Sequence, residues 1–194
     1  ITFVGSGQAV ATAGKDSPAL VMQTIGGGGG WIGNVGGNTT LGATQIGSSN
    51  AGSIEATINY KTIQTQGDNS TGILAQAIAG GGGFTGTQTG NIAHMGGTLA
   101  SNSTSNARDV EVTNRATIAT FGTNSAAIIA QSIGGGGGSS ATSASSAVRM
   151  GSISTAARLG VGDIPVITTG NVTVTNTSNL STTKAGSAGL LAQS

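Results

Sequence analysis

The sequence predicts an all-β fold, a repetitive parallel β-helix or β-solenoid with about 53–62 residues per unit. Three observations lead there. An apolar strand followed by a glycine tract recurs along the chain, the mark of a stacked architecture. The segments between alternate polar and apolar residues in period two, as strands do. Glycine fills 36 of 194 positions, only 7% of residues are charged and 3% are aromatic, so any core is thin and built of small residues. A thin core repeated many times fits a stack better than a globule.

The recurrence is read from four segments. Ala19-Leu20-Val21-Met22-Gln23-Thr24-Ile25 precedes one tract, Gly72-Ile73-Leu74-Ala75-Gln76-Ala77-Ile78-Ala79 a second, and Ala127-Ile128-Ile129-Ala130-Gln131-Ser132-Ile133 a third. Gly189-Leu190-Leu191-Ala192-Gln193-Ser194 begins a fourth copy. The glutamines are spaced by 76−23=53, 131−76=55 and 193−131=62 residues. Carried upstream without a gap, the alignment matches Thr57 with Val112 and Val174, and Asn59 with Asn114 and Asn176. It also matches Val10, Ile63, Ile118 and Leu180, and Thr12, Thr65, Thr120 and Thr182. The chain then reads as one continuous segment, 1–194, in units of about 4–56, 57–111, 112–173 and a partial 174–194.

Each unit opens with a pair of strands. In Val112-Asn114-Ala116-Ile118 every second residue is set to face inward, with Arg115 outward. Asn, Gly, Thr and Ser are poor helix formers over such lengths, so no helix longer than two turns is expected. A turn such as Gly67-Asp68-Asn69-Ser70 follows, where Asx side chains bond their own backbone. Next comes the apolar strand. Ile128-Ile129-Ala130 is apolar on both faces, which predicts a parallel strand covered on both sides. The tracts follow: Gly26, Gly27, Gly28, Gly29 and Gly30; Gly80, Gly81, Gly82 and Gly83; Gly134, Gly135, Gly136, Gly137 and Gly138. Their length is nearly fixed while the stretch after them varies, the opposite of what a flexible spacer shows. They are expected to pack side by side under another layer, capped by Trp31 and Phe84. A unit this long reads as about two coils, or as one wide coil with extra strands.

The amides form two expected ladders. Asn59, Asn114 and Asn176 would make one column, and Gln23, Gln76, Gln131 and Gln193 another. Stacked amides bond one another along a cross-β axis and fix register.

Other chemistry finds little support. Mean hydropathy is +0.13 and net charge only +1, against the high charge of disordered chains and the basic field that nucleic acid needs. No apolar run reaches the roughly 18 residues of a membrane helix. The opening residues lack the charged start of a signal peptide, and the first is Ile1, as in an excerpt of something longer. Without cysteine there is no disulfide or thiolate metal site. The glycine tracts end in Trp31, Phe84 and Ser139, not in the Gly-Lys-Ser/Thr of a phosphate loop. Gly5-Ser6-Gly7 is half a dinucleotide fingerprint without a βαβ unit. No Asp follows a tract at the calcium β-roll spacing. His94 stands alone. Of Asp16, Glu55, Asp68, Asp109, Glu111 and Asp163, only Asp109 and Glu111 cluster, beside Arg108 and Arg115, and that reads as a solvated strand edge. Carbohydrate-active β-helices need two or three converging acids. No catalytic, cofactor-binding or metal-binding residue is therefore expected, and no enzyme activity.

The pattern Ile/Leu-x-Ala-Gln-Ser-Ile followed by glycines resembles the passenger repeats of large bacterial type V autotransporter adhesins. Thr65 to Gly83 and Thr120 to Gly138 carry it best. Lys15 to Gly30 departs, with Pro18-Ala19 for the turn glycine and Met22 for Ala. The resemblance implies a right-handed parallel β-helix on the cell exterior. No amphipathic barrel strands with aromatic girdles are present, so the segment would be passenger only, meeting the outer membrane through a barrel elsewhere. The expected role is a structural or adhesive repeat segment, acting as stalk, surface or matrix component. A self-assembling extracellular fibre subunit is the alternative, and a carbohydrate-active β-helix enzyme a third. Expected partners are neighbouring repeats, further copies and a host or surface receptor, with no nucleic acid.

Overall fold

A computed structural model describes residues 1–33, 39–42, 47–85, 92–96, 98–99, 103–136, 138–140, 147–150, 153–154 and 166–194. Among these residues the fold is all-β, with no helix, and the strand pairs are parallel. Among the described residues, successive units contribute to the same sheets in the same order, the partial fourth unit to the first and central sheets alone. The central sheet orders Leu20–Ile25, Ile73–Ile78, Ile128–Ile133 and Leu190–Gln193, one strand from each unit. A unit of two stacked coils would pass through each sheet twice; among the described residues a unit passes once through each sheet that it enters, which corrects the two-coil expectation.

The first and largest sheet begins each unit. It pairs Thr2–Thr12 with Ile54–Thr65, which pairs with Val110–Asn114 and Thr117–Thr120, followed by Val172–Asn176 and Leu180–Thr182. From Val110 to Thr120 every second residue is buried, ending on Ala116, Ile118 and Thr120, while Arg115 is exposed. The chain then turns and enters the central sheet. After the glycine tract a third sheet aligns Gly30–Ile32, Gly83–Thr85 and Gly138–Ser140. Before the next unit, Ser49–Asn50, Thr104–Asn106 and Val166–Thr168 form another.

The core lies in two layers on either side of the central sheet. Ile73, Ala75 and Ala77, with Ile128 and Ala130, pack against Ile54, Ile58, Ile63, Val110, Val112 and Ile118 of the first sheet. Leu74 and Ile129 point the other way, onto Phe84, Ala126 and Trp31. Every residue of Ile73–Ile78 and Ile128–Ile133 is buried. Burying an Ile or Leu contributes roughly 1.5–3 kcal/mol, which is the main force holding units together.

Register in the first sheet departs from the gapless alignment. Val112 pairs with Ala56 and Val174, Thr113 with Thr57, and Asn114 with Ile58. Further on, Thr117 pairs with Thr62 and Ile118 with Ile63. Asn59-Tyr60-Lys61 thus stands opposite Arg115-Ala116, an extra residue in the second unit. One added residue flips a strand's faces. The buried positions change from Ile54, Ala56 and Ile58 to Ile63 and Thr65, and Asn59 becomes exposed. Gly5 and Gly7 lie beside this region because Tyr60 covers them. A Cβ on Gly5 would sit 2.7 Å from the Phe3 and Tyr60 rings. That is what the half fingerprint does here.

Candidate functional site: inter-unit ladders and glycine tracts

The four glutamines occupy one column, paired Gln23 to Gln76 to Gln131 to Gln193. Gln23 Nε2 donates to Gln76 Oε1 at 2.6 Å, Gln76 Nε2 to Gln131 Oε1 at 2.7 Å, and Gln131 Nε2 to Gln193 Oε1 at 2.9 Å. Gln76 and Gln131 are fully buried between apolar layers, where an unbonded amide would cost about 1–3 kcal/mol. Each amide meets its twin only if the units are in register.

The asparagine column is half as long as the sequence implies. Asn114 Nδ2 donates to Asn176 Oδ1 at 2.7 Å. Asn59 is not in that column: Ile58 stands there, for the register reason given above. Asn59 instead accepts a bond from Arg115 Nη1 at 2.9 Å on the exposed face. Asn114 also closes a local turn, receiving the Ala116 N–H on Oδ1 (3.1 Å) and donating Nδ2 to the Ala116 carbonyl (2.8 Å). Asn176 donates likewise to the Ser178 carbonyl. The ladder role and the local turn role belong to the same side chain.

A serine column, unread in the sequence, runs through the turns. The Ser17 N–H donates to Ser70 Oγ (3.0 Å), the Ser70 N–H to Ser125 Oγ (3.0 Å), and the Ser125 N–H to Ser187 Oγ (2.9 Å). Each receiving hydroxyl reaches back one unit: Ser70 to the Gly14 carbonyl, Ser125 to that of Gly67, Ser187 to that of Gly122. Within each unit a threonine hydroxyl clamps the serine carbonyl, Thr12 to Ser17, Thr65 to Ser70, Thr120 to Ser125 and Thr182 to Ser187. The signal was present: a Thr and a Ser five residues apart recur in every unit.

The residue before each serine takes a left-handed backbone: Asp16, Asn69 and Asn124 have φ of 52°, 55° and 54°, and Gly186 has 71°. Asx and Gly tolerate that region best. Asp68 stands one place earlier. Its Oδ1 accepts the Thr123 N–H of the next unit at 2.8 Å. That backbone bond, offset in part by desolvation and aided by Lys15 and Lys184, holds its carboxyl below the usual carboxylate range. The Lys15–Asp68 pair, 3.9 Å apart and exposed, adds little.

The glycine tracts lie against one another. Gly30 pairs with Gly83, and Gly83 with Gly138. A Cβ on Gly27 would overlap the Ala79 carbonyl oxygen, and one on Gly80 that of Gly134. Gly28 to Gly30 and Gly81 to Gly83 all have φ between 83° and 129°, which other residues rarely adopt. A neighbouring sheet covers the tract entrance. Ser49 Oγ donates to the Ala79 carbonyl (2.8 Å) and Ser105 Oγ to that of Gly134 (2.5 Å). Phe84 is buried beside the tract, with Trp31 packed next to it. Gly137 lies outside the described residues.

The acids are dispersed. Asp109 Oδ1 accepts the Asn171 N–H at 2.8 Å, and Asp16 Oδ1 the Asn69 side-chain amide at 3.2 Å. Glu55 and Glu111 are register partners on the exposed face. Asp163 lies outside the described residues, and among those described no three His, Cys, Asp or Glu converge. His94 holds a strand position opposite Thr40 and Arg149. Comparison with protein-family models, with curated proteins and with solved structures finds no match.

Proposed function

We propose that this chain is a structural repeat segment of a bacterial cell-surface or secreted protein, built as a parallel β-solenoid of one wide coil per unit. The observation that supports it most is the column of equivalent residues bonded to one another across four units, the glutamines above all. Such bonds join the units to each other.

The geometry favours surface over reach. One strand per unit advances the stack by about 4.8 Å, so four units extend only about 19 Å. A helix of this many residues would be about fifteen times longer. A coat or matrix element of broad cross-section suits the unit better than a thin stalk, with adhesion through the exposed Thr, Ser and Asn faces. Cysteine-free composition and the autotransporter resemblance support an exterior location.

A length series tests this reading. Chains of four, eight and sixteen units are anchored on a bacterial outer membrane and imaged by electron cryotomography. The surface layer is expected to thicken by about 19 Å per four units at constant width. A layer whose thickness does not follow unit number sinks the proposal, as does a helical circular dichroism spectrum.

A further inference from the structure

We infer that the outer face of the first sheet is an interface for a second copy of this chain, paired side by side with both stacks rising in the same direction. The inference rests on the stacked reading above and adds a lateral contact to it. The charges on that face carry it, and they sit on the two inner units.

Like charges stand together there. Glu55 and Glu111 are register partners, and both are exposed. Like charges directly opposite on neighbouring strands repel. Further along the same face come Lys61 and Arg115, also exposed. The Arg115 N–H donates to the Ile58 carbonyl and its Nη1 to Asn59 Oδ1. Its guanidinium is thereby held over Asn59, two residues from Lys61.

The two groups do not compensate each other within the chain. Six residues separate Glu55 from Lys61, and four separate Glu111 from Arg115. At about 3.3 Å per residue those gaps are about 20 and 13 Å. Physiological salt screens exposed charges beyond about 8 Å. Among the described residues the ion pair is Lys15–Asp68, in the turns, and none of these four side chains enters one.

A second copy compensates both groups at once. When a twofold axis runs along the stack, two facing first sheets meet with their strands in opposite directions and each level opposite itself. Glu55 then meets the partner's Lys61, and Glu111 the partner's Arg115. The axis follows the column of Thr57 and Thr113, whose short branched side chains let the sheets approach to about 10 Å. An axis along the strands would set acid against acid and turn one stack upside down. The pairing therefore joins neighbours standing on one surface. The face is about 36 Å along an eleven-residue strand and about 19 Å over four units, roughly 700 Å² per partner. A standard interface takes about 800 Å² per partner, so four units approach that size and further units pass it.

Sedimentation velocity over a concentration series, at low and high salt, tests the contact. A monomer–dimer equilibrium is expected, weakened about tenfold in high salt. Glu55→Lys with Glu111→Lys makes the face all basic, and Lys61→Glu with Arg115→Glu makes it all acidic. Each double variant should be monomeric with an unchanged far-ultraviolet spectrum, and an equimolar mixture of the two should dimerise again. Cross-linking with a short bismaleimide reads the orientation, since the chain has no cysteine of its own. Thr173 and Thr177 are exposed, in the columns of Glu111 and Arg115. Thr173→Cys and Thr177→Cys should cross-link to each other in a mixture and not to themselves. Like-to-like cross-links overturn the proposal, as do dimers that survive both charge reversals or a mixture that stays monomeric. A wild-type chain that is monomeric at every concentration with a β spectrum refutes lateral pairing alone. One without a β spectrum refutes the stacked reading with it.

Discussion

Ser125 shows how much one small side chain does in this fold. It is fully buried, receives the Ser70 N–H and donates to the Gly67 carbonyl, so one hydroxyl joins two units twice. Removing it leaves the buried Ser70 N–H and the half-buried Gly67 carbonyl without this partner. Ser125→Ala is expected to cost about 2–3 kcal/mol in urea unfolding, against under about 1 for the half-buried Ser187→Ala. Asp68 supplies the titratable counterpart. Its carboxyl is depressed in the folded chain, first by the Thr123 N–H. A depressed acid stabilises the fold above its unfolded pKa, here 3.8, and that contribution fades as pH falls through the folded value. Stability should thus drop below about pH 4, and Asp68→Asn should remove that part of the drop while leaving the pH 7 to 5 region flat. An identical acid limb in wild type and variant would show that the bond contributes nothing.

At the scale of elements, register decides which residues matter. Asn114 is buried and bonded to Asn176 and to its own turn, whereas Asn59 is exposed on the other face. Asn114→Ala should cost about 2–3 kcal/mol and Asn59→Ala less than about 0.5, measured by denaturant midpoint. Similar losses would mean that the one-residue shift is absent. The glycine tract makes the same point sterically. A methyl at Gly80 would overlap the Gly134 carbonyl oxygen, so Gly80→Ala should cost upwards of about 2 kcal/mol or prevent folding, while a mere spacer would tolerate it. These elements also show what a sequence exposes. The glutamine column was legible because each copy sits in the same apolar frame, three or four residues ahead of a glycine tract in the first three units. The Asn59 match was false because Thr57-Ile58-Asn59 and Val112-Thr113-Asn114 look alike, while the residue added after Ile58 changes the face without changing composition. Unit length alone could not tell one wide coil from two narrow ones, since both use the same strands. The serine column stayed hidden because Ser is common in this chain and its bonds join turns more than fifty residues apart.

For the whole molecule, the consequence of nearest-neighbour bonding is a gradient of stability. In a stacked chain each unit is held by its own core and by the two interfaces beside it. The second and third units have neighbours on both sides, and their central strands Ile73–Ile78 and Ile128–Ile133 are buried at every residue. Within residues 1–194 taken in isolation, the first and fourth have one neighbour each. Leu20–Ile25 is buried only at Met22, and Leu190–Gln193 has no fully buried residue. Local opening at the outer units exposes less apolar surface and breaks one set of ladder bonds in place of two. Amide hydrogen exchange should therefore be slowest in Ile73–Ile78 and Ile128–Ile133, intermediate in Leu20–Ile25, and fastest in Leu190–Gln193. Gln131→Ala should lower protection in both flanking units, since it breaks the bonds to Gln76 and to Gln193 at once. Gln193→Ala should lower it only next to its own strand. Exchange measured by mass spectrometry on the isolated chain decides the matter. Uniform protection across the four strands would show that the chain opens only as a whole. Protection highest in Leu190–Gln193 would contradict the arrangement of interfaces itself.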